Sequence, residues 1–229
     1  MPDLAGAVWP ELLERPLLVV PLGSVEQHGP HLPLATDTVV AGAVVRAADL
    51  GDAVVAPAIP YGASGEHEGF PGTVSIGTEA LTTLLVEYGR SACRWAGRLL
   101  VVNGHGGNLD ALRRAVPLLR TEGRDVAWFP CGVPGGDAHA GRTETSLLLH
   151  VEPPAVRTDR SVPGVTTPVA ELLPRLRAEG VRGVSPTGVL GDPAGASAEE
   201  GAELLAGMAG RLAAAVRAWD VDPTGRLRG

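Results

Sequence analysis

Lysine is missing altogether from the 229 residues, and all 19 basic side chains are arginines. That excludes Schiff-base chemistry, a P-loop lysine and a kinase-type lysine at once. Cysteine is nearly as scarce: Cys93 and Cys131 stand far apart with no CxxC spacing. A disulfide framework is therefore excluded, and a reduced compartment is indicated. No run approaches the roughly 18 apolar residues of a membrane span. Met1 to Pro16 lacks a basic start followed by an apolar stretch, so no signal peptide is expected. Nor is there a basic excess. The net charge is −7, which argues against nucleic-acid or anionic-membrane partners. A soluble, cytoplasmic protein is expected.

What is present is a folded chain, 45% hydrophobic and only 20% charged. At roughly 150 residues per domain, one domain over residues 1–229 is the simplest organisation. Apolar runs at Pro16–Gly23, Ala53–Ile59, Arg98–Val102 and Asp125–Phe129 read as strands. Between them lie helical patterns over Thr38–Leu50, with Thr36 or Asp37 near the N-cap, over Thr78–Gly97 with Thr78 as cap, and over Leu109–Glu122. Such alternation predicts an α/β fold with a largely parallel sheet covered on both faces. Val151–Gly195, rich in Pro, Gly and Thr, reads as a surface excursion with one helix around Val169–Glu179. Ser197 and Glu200 form a capping-box pattern opening a last helix to about Trp219.

Five of the six histidines fall beside Gly or Pro, mostly next to strand ends. Ligands of open parallel sheets bind at the carboxyl ends of strands, so these loops can converge. Three clusters carry candidates. In Gly23–His31, Glu26 and His28 project to one side of an extended backbone, and Asp37 follows. The Asn103–Asn108 loop holds His105, and its glycines do not fit G-x-G-x-x-G because Leu109 occupies the last position. The Gly136–Ser146 segment holds His139 and Glu144 among small residues. Mixed carboxylate and imidazole donors suit Zn, Mn or Fe(II). The competing readings are surface charge and a helix cap for Glu26 and Asp37, and a helix-start carboxylate for Glu144. His67, in Gly65–Gly72, reads as a rim or supporting group, and His150 as structural. Gly62–Glu66 lacks the final glycine of a G-x-S-x-G elbow, and neither cysteine shows a sign of activation.

The segments PLGSVEQHGPHLPLATD, GEHEGFPGT, VNGHGGN and DAHAGRTETS together resemble the creatininase (creatinine amidohydrolase) family over about Pro16 to His150. The stretches APAIPYGASGEHEGFPGTVSIGTEALTTLLVEYGRSA and GGDAHAGRTETSLLLH resemble one branch more closely, the peptidases of mycofactocin maturation. The resemblance implies a three-layer α/β/α sandwich that forms homo-oligomers, hexamers or larger. It implies a two-metal site in which Glu26, Asp37 and His105 hold one cation and His28, Asp37 and Glu144 the other, with His139 beside the reacting water. The metals implied are Fe(II) and Zn(II), with Mn(II) as an alternative.

The activity implied is that of a dinuclear metal-dependent C–N hydrolase. It would cleave the modified precursor peptide near its C-terminus by attack of a metal-bound hydroxide, releasing a Val-Tyr dipeptide, while His139 protonates the departing nitrogen. Creatininase proper carries a glutamate two residues after the loop histidine, where this chain has Gly107, and that glycine is expected to leave room for a bulky peptide. Gly107, His67 and Asp137 are the candidate substrate contacts. Two other readings stay open: a family amidohydrolase acting on a formamide or small cyclic amide, and a non-catalytic metal-binding scaffold with a closed site.

Overall fold

Four apolar runs pair into one parallel sheet in the computed structural model, which describes residues 1–228. The strands are β1 (Leu17–Leu22), β2 (Val54–Val55), β3 (Arg98–Asn103) and β4 (Val126–Pro130), in the order β2-β1-β3-β4. Leu17 pairs with Arg98 and Leu22 with Asn103 across β1 and β3, while Leu99 pairs with Val126 and Asn103 with Pro130 across β3 and β4. Strand β2 is much shorter than the Ala53–Ile59 expectation. Pro21 of β1 faces β2 but has no N–H to give the ladder, and beyond Val55 the chain keeps separate bonds, from Ala56 N to Val19 O, from Ile59 N to Pro21 O and from Gly23 N to Ile59 O.

Side-chain alternation along the strands builds the three layers. Leu18, Val20, Leu22, Leu99 and Val101 point to one face, covered by α2 (Gly77–Ala92) and α3 (Leu109–Thr121). Val19, Leu100, Val102, Ala127 and Phe129 point to the other, covered by α1 (Thr36–Ala47), α4 (Arg142–Val151) and α6 (Ala198–Ala218). The largely parallel α/β/α sandwich expected from the sequence is thus the observed fold. No helix among the described residues is long and apolar enough to cross a membrane.

Several local expectations are corrected. Helix α1 starts at Thr36 after an Ala35 N-cap without a side-chain bond, so Asp37 lies in the first turn. Thr78 sits inside α2 and does not cap it, and α2 ends at Ala92. The turn from Trp95 to Gly97 belongs to the entry of β3, with Gly97 N donating to Pro16 O. Half of the capping box forms at α6: Ser197 Oγ accepts from Glu200 N at 3.2 Å. The Glu200 carboxylate turns instead to Arg142 and to the Ser146 hydroxyl at 2.7 Å, and Ser146 Oγ accepts from Ser197 N.

Residues 151–195 are more than a surface excursion. Helix α5 (Val169–Val184), broken at Gly180 with φ 67, buries Leu172, Val181 and Val184 with Leu190 in a small apolar cluster that takes in Phe70. Arg182 reaches across to the carbonyl of Gly69. This segment therefore backs the short turn Gly65–His67.

All four strands run the same way, so their carboxyl ends share one edge of the sheet. The chain leaves β1 for β2 on one side and later crosses to β3 on the other, so the switch point lies between β1 and β3, where open α/β sheets bind ligands.

Candidate metal centre

The loops after β1 and β3 deliver Glu26, His28 and His105 to the switch point, and the first turn of α1 adds Asp37. The loop after β4 adds His139, α4 adds Glu144, and the Gly65–His67 turn adds His67 and Glu66. Side chains lace these loops together. Asn108 accepts from Ala63 N at 2.9 Å and donates to Gly23 O and to Asn103 Oδ1, both at 3.0 Å. Asn103 in turn donates to the carbonyl of His105 at 2.6 Å. His31 Nε2 meets the Thr145 hydroxyl at 2.9 Å, joining the first loop to α4. The hydroxyl of Ser24 donates to Asp37 Oδ2.

Within this frame the donors crowd together. Asp37 stands between two rings, with Oδ1 3.2 Å from His28 Nε2 and Oδ2 3.4 Å from His105 Nδ1. Glu26 Oε2 lies 3.2 Å from His105 Nε2, and Glu26 Oε1 lies 3.3 Å from His67 Nε2 and 3.8 Å from His139 Nδ1. His28 Nε2 is 3.9 Å from Glu144 Oε2. Ligand atoms around a tetrahedral cation stand about 3.3–3.6 Å apart, close to these separations. Both oxygens of Glu26 are buried with no hydrogen-bond partner among the described residues. An uncompensated buried carboxylate is costly, and a cation is the natural compensation for it. Donor atoms come within 4.8 Å of one another in three triples: Glu26–His28–Asp37, His28–His139–Glu144 and Glu26–His67–His139. The two ligand sets implied by the resemblance, Glu26–Asp37–His105 and His28–Asp37–Glu144, meet through pairwise contacts instead.

The electrostatics follow from burial and packing. Burial alone would lower the His28 pKa, but the Asp37, Glu144 and Glu26 carboxylates outweigh it and push it up to about 10. His105 is raised well above its ordinary value in the same way, against its burial, by Glu26, Glu66 and Asp37. Asp37 would rise by burial, yet His28, His105 and Ser24 hold it below the usual carboxylate range. Glu144 is pushed up to about 7, first by burial and then by Asp37, although His28 opposes the shift. His139 is pushed well below the usual imidazole value by burial and by His28 and His67. Its neighbour Ala140 has φ 52, a strained value for a residue with a Cβ. The Ala140 amide donates to Glu144 Oε2 at 2.6 Å, so the strain is tied to the placement of that carboxylate.

Of the candidate substrate contacts, the structure brings one into the cluster. His67 is buried inside it rather than at a rim. Asp137 Oδ1 accepts from Thr143 N at 3.2 Å and so tethers the start of α4, and its charge adds to the upward shift of Glu144. The expectation that Gly107 leaves room is corrected. A Cβ there would overlap Ala63 O and His105 Nε2 and would stand 2.6 Å from Glu66 Oε1. The space is filled by Glu66, a third exposed and 3.4 Å from His105 Nε2. Sequence reasoning also missed Gln27, Asn103, Asn108 and Thr145. His150 lies exposed in the last turn of α4.

Comparisons with known proteins agree with this architecture. The family model described as creatinine amidohydrolase (Creatininase) matches residues 6–216. A mycofactocin precursor peptide peptidase of Mycolicibacterium smegmatis is 59% identical over 220 residues, covering 93% of this chain and 89% of that protein. The creatinine amidohydrolase of Pseudomonas putida is 32% identical over 191 residues, covering 69% and 74%. Among solved structures, a variant creatininase described as Zn-Zn type superposes with a TM-score of 0.77 at 28% identity, covering 95% of this chain and 97% of that one. A family model spanning most of the chain, a relative this similar and the shared three-layer fold lead to one conclusion: the chain belongs to the creatinine amidohydrolase (creatininase) family.

Proposed function

We propose that the chain is a metal-dependent peptidase that hydrolyses the modified mycofactocin precursor peptide near its C-terminus, releasing a Val-Tyr dipeptide. The carrying observation is the 59% identity to a peptidase of that name over 93% of the chain. The buried donor cluster supports the metal requirement, because the unpartnered Glu26 oxygens and the surrounding imidazoles fit a pair of divalent cations. In this reading Glu26, Asp37 and His105 hold one cation and His28, Asp37 and Glu144 the other. When bound, such ions supply Lewis acidity and a water that ionises near neutral pH.

The chain's own groups do the rest. Asp37 presents one oxygen to each side of the centre and so sets the spacing of the two halves. His139 Nε2 lies 2.7 Å from the carbonyl of Gln27 and 3.1 Å from its amide nitrogen, and Nδ1 lies 3.8 Å from Glu26 Oε1. In this reading His139 takes up a proton and returns it to the departing amine. Glu66, at the exposed edge, flanks the entry for the peptide. The donor types agree with Fe(II) and Zn(II), or Mn(II). A homo-oligomer, a cytoplasmic location and one domain over residues 1–229 complete the proposal.

The test is mass spectrometry of the modified precursor peptide after incubation with the metal-loaded chain, beside a chelated control. Loss of a Val-Tyr mass in the loaded sample alone is the expected result. An intact peptide with metal demonstrably bound overturns the substrate assignment.

A further inference from the structure

Asp37 reaches both halves of the centre, and its carboxylate must be held in that attitude. Rotation about the Asp Cβ–Cγ bond is soft, with broad wells instead of three sharp staggered ones, so the rotamer does not fix the plane. Nor do the flanking rings. His28 Nε2 faces Oδ1 at 3.2 Å and His105 Nδ1 faces Oδ2 at 3.4 Å, but these are contacts between would-be ligands of one cation. A nitrogen that gives its lone pair to a cation does not also donate a proton. Among the described residues, one hydrogen-bond donor to the Asp37 carboxylate lies outside the ligand sets: the fully buried hydroxyl of Ser24, which donates to Oδ2.

Ser24 is in turn held by the chain that carries Asp37. Thr38, the next residue, donates its hydroxyl to the Ser24 carbonyl at 3.3 Å. Gly23 packs so closely on Thr38 that a Cβ there would overlap the Thr38 main chain. The Gly23 N–H donates to Ile59 O at 3.0 Å, and its carbonyl accepts from Asn108 Nδ2 at 3.0 Å. Gly23–Ser24 after β1 and Asp37–Thr38 in the first turn of α1 are thus laced in both directions. On the other flank, the Asp37 carbonyl lies so near Gly104 that a Cβ there would overlap it. The main chain of Asp37 is therefore fixed between the loops after β1 and β3. What remains free is the turn of the carboxylate, and the Ser24 hydroxyl sets it.

We infer that Ser24 is a positioning residue that holds the Asp37 carboxylate with one oxygen to each half of the centre, and keeps it from closing with both oxygens on a single cation. This role rests on the proposed two-cation centre. A carboxylate can bind a cation through one oxygen or through both, and passing from bridge to two-oxygen chelate requires it to turn. Oδ2 cannot turn toward the His28 side without leaving the Ser24 hydroxyl. Ligating carboxylates are commonly held by such outer hydrogen bonds, and removing the partner costs roughly 10–100-fold in metal affinity.

The experiment is a zinc titration of the full chain by calorimetry, wild type beside Ser24→Ala, with a zinc-loaded crystal structure of each. Wild type is expected to bind two equivalents, with one Asp37 oxygen on each ion and the Ser24 hydroxyl still on Oδ2. Ser24→Ala is expected to keep one equivalent near wild-type affinity, with both Asp37 oxygens on it, and to bind the second roughly 10–100-fold more weakly. A residue that only supports the fold would weaken both equivalents alike or neither, so the split is the signature of positioning. Two equivalents at wild-type affinity in Ser24→Ala overturn the inference, and so does a parallel loss of both. Should Ser24→Ala fail to fold, the loaded wild-type structure decides. A Ser24 hydroxyl that has left Asp37, or an Asp37 with both oxygens on one ion, overturns the inference; the bridged carboxylate with its hydrogen bond intact supports it. A wild-type chain that takes up no zinc defeats the two-cation reading and this role with it. Two wild-type equivalents with an indifferent Ser24→Ala defeat the role alone, so the two failures are distinguishable.

Discussion

Replacing Gly107 with alanine adds one methyl group at the most crowded point of the centre. The new Cβ would overlap the Ala63 carbonyl and His105 Nε2 and would stand 2.6 Å from Glu66 Oε1. The Ala63 backbone cannot yield easily, since its N–H is held by Asn108 at 2.9 Å and the next amide by the Ser75 hydroxyl at 2.9 Å. The strain therefore falls on His105 and Glu66. Overpacking of this kind costs about 1–3 kcal/mol of stability, and moving a reacting group by about 1 Å can cost on the order of 100-fold in rate. Gly106 provides the control, because a Cβ there meets nothing within 4 Å. Gly106→Ala should stay within about 0.5 kcal/mol of wild type. Denaturant unfolding and kcat/KM on the precursor peptide, measured for both variants, decide the matter. Equal behaviour of the two alanine variants would refute the reasoning about crowding at His105.

The remaining expectations can be checked on the same preparations. Asn108→Ala leaves the buried Ala63 N–H and Gly23 carbonyl without their partner, a loss of about 2–6 kcal/mol at about 1–3 kcal/mol per group. Urea unfolding reads it, and a loss below about 1 kcal/mol would show that these loops do not depend on the bridge. Zinc affinity should rise with pH through neutrality. In the metal-free chain His28, pushed up to about 10, and the similarly raised His105 hold protons that an entering cation must displace. Calorimetry in buffers of different ionisation enthalpy should show proton release at pH 7, and none would contradict the ion pairing described here. For the metal-free fold the sign is the reverse. A raised histidine pKa gives stability present in full below 6.5 and lost as pH rises through about 10, so metal-free stability should decline over that window.

The fold was legible where a residue's own neighbours decide its state. The continuous apolar runs of β1, β3 and β4 announce strands buried on both faces, and the small shifts in α1 and α2 come from caps the backbone does not use. The apolar run Ala53–Ile59 overstates β2 because Pro21 in the neighbouring strand has no N–H to give the pairing, which the pattern of β2 itself does not show. The histidines and carboxylates stood out by their position after strands. The amides did not, because their roles depend on partners far along the chain: Gln27 binds Gly188 161 residues away, and Asn108 binds Gly23 85 residues away. Glu66 was hidden for a related reason. Its carboxylate fills the space beside Gly107, and only the folded loops bring those two residues together.

The most direct test of the buried cluster as a two-cation centre is a zinc titration of the metal-free chain by calorimetry with elemental analysis, alongside Asp37→Asn. Asp37 is the side chain that reaches both His28 and His105. Two tight equivalents per wild-type chain, with both lost or severely weakened in Asp37→Asn, are the expected result. A wild-type chain that takes up no zinc, or an Asp37→Asn chain that still holds two equivalents with unchanged affinity, would contradict it.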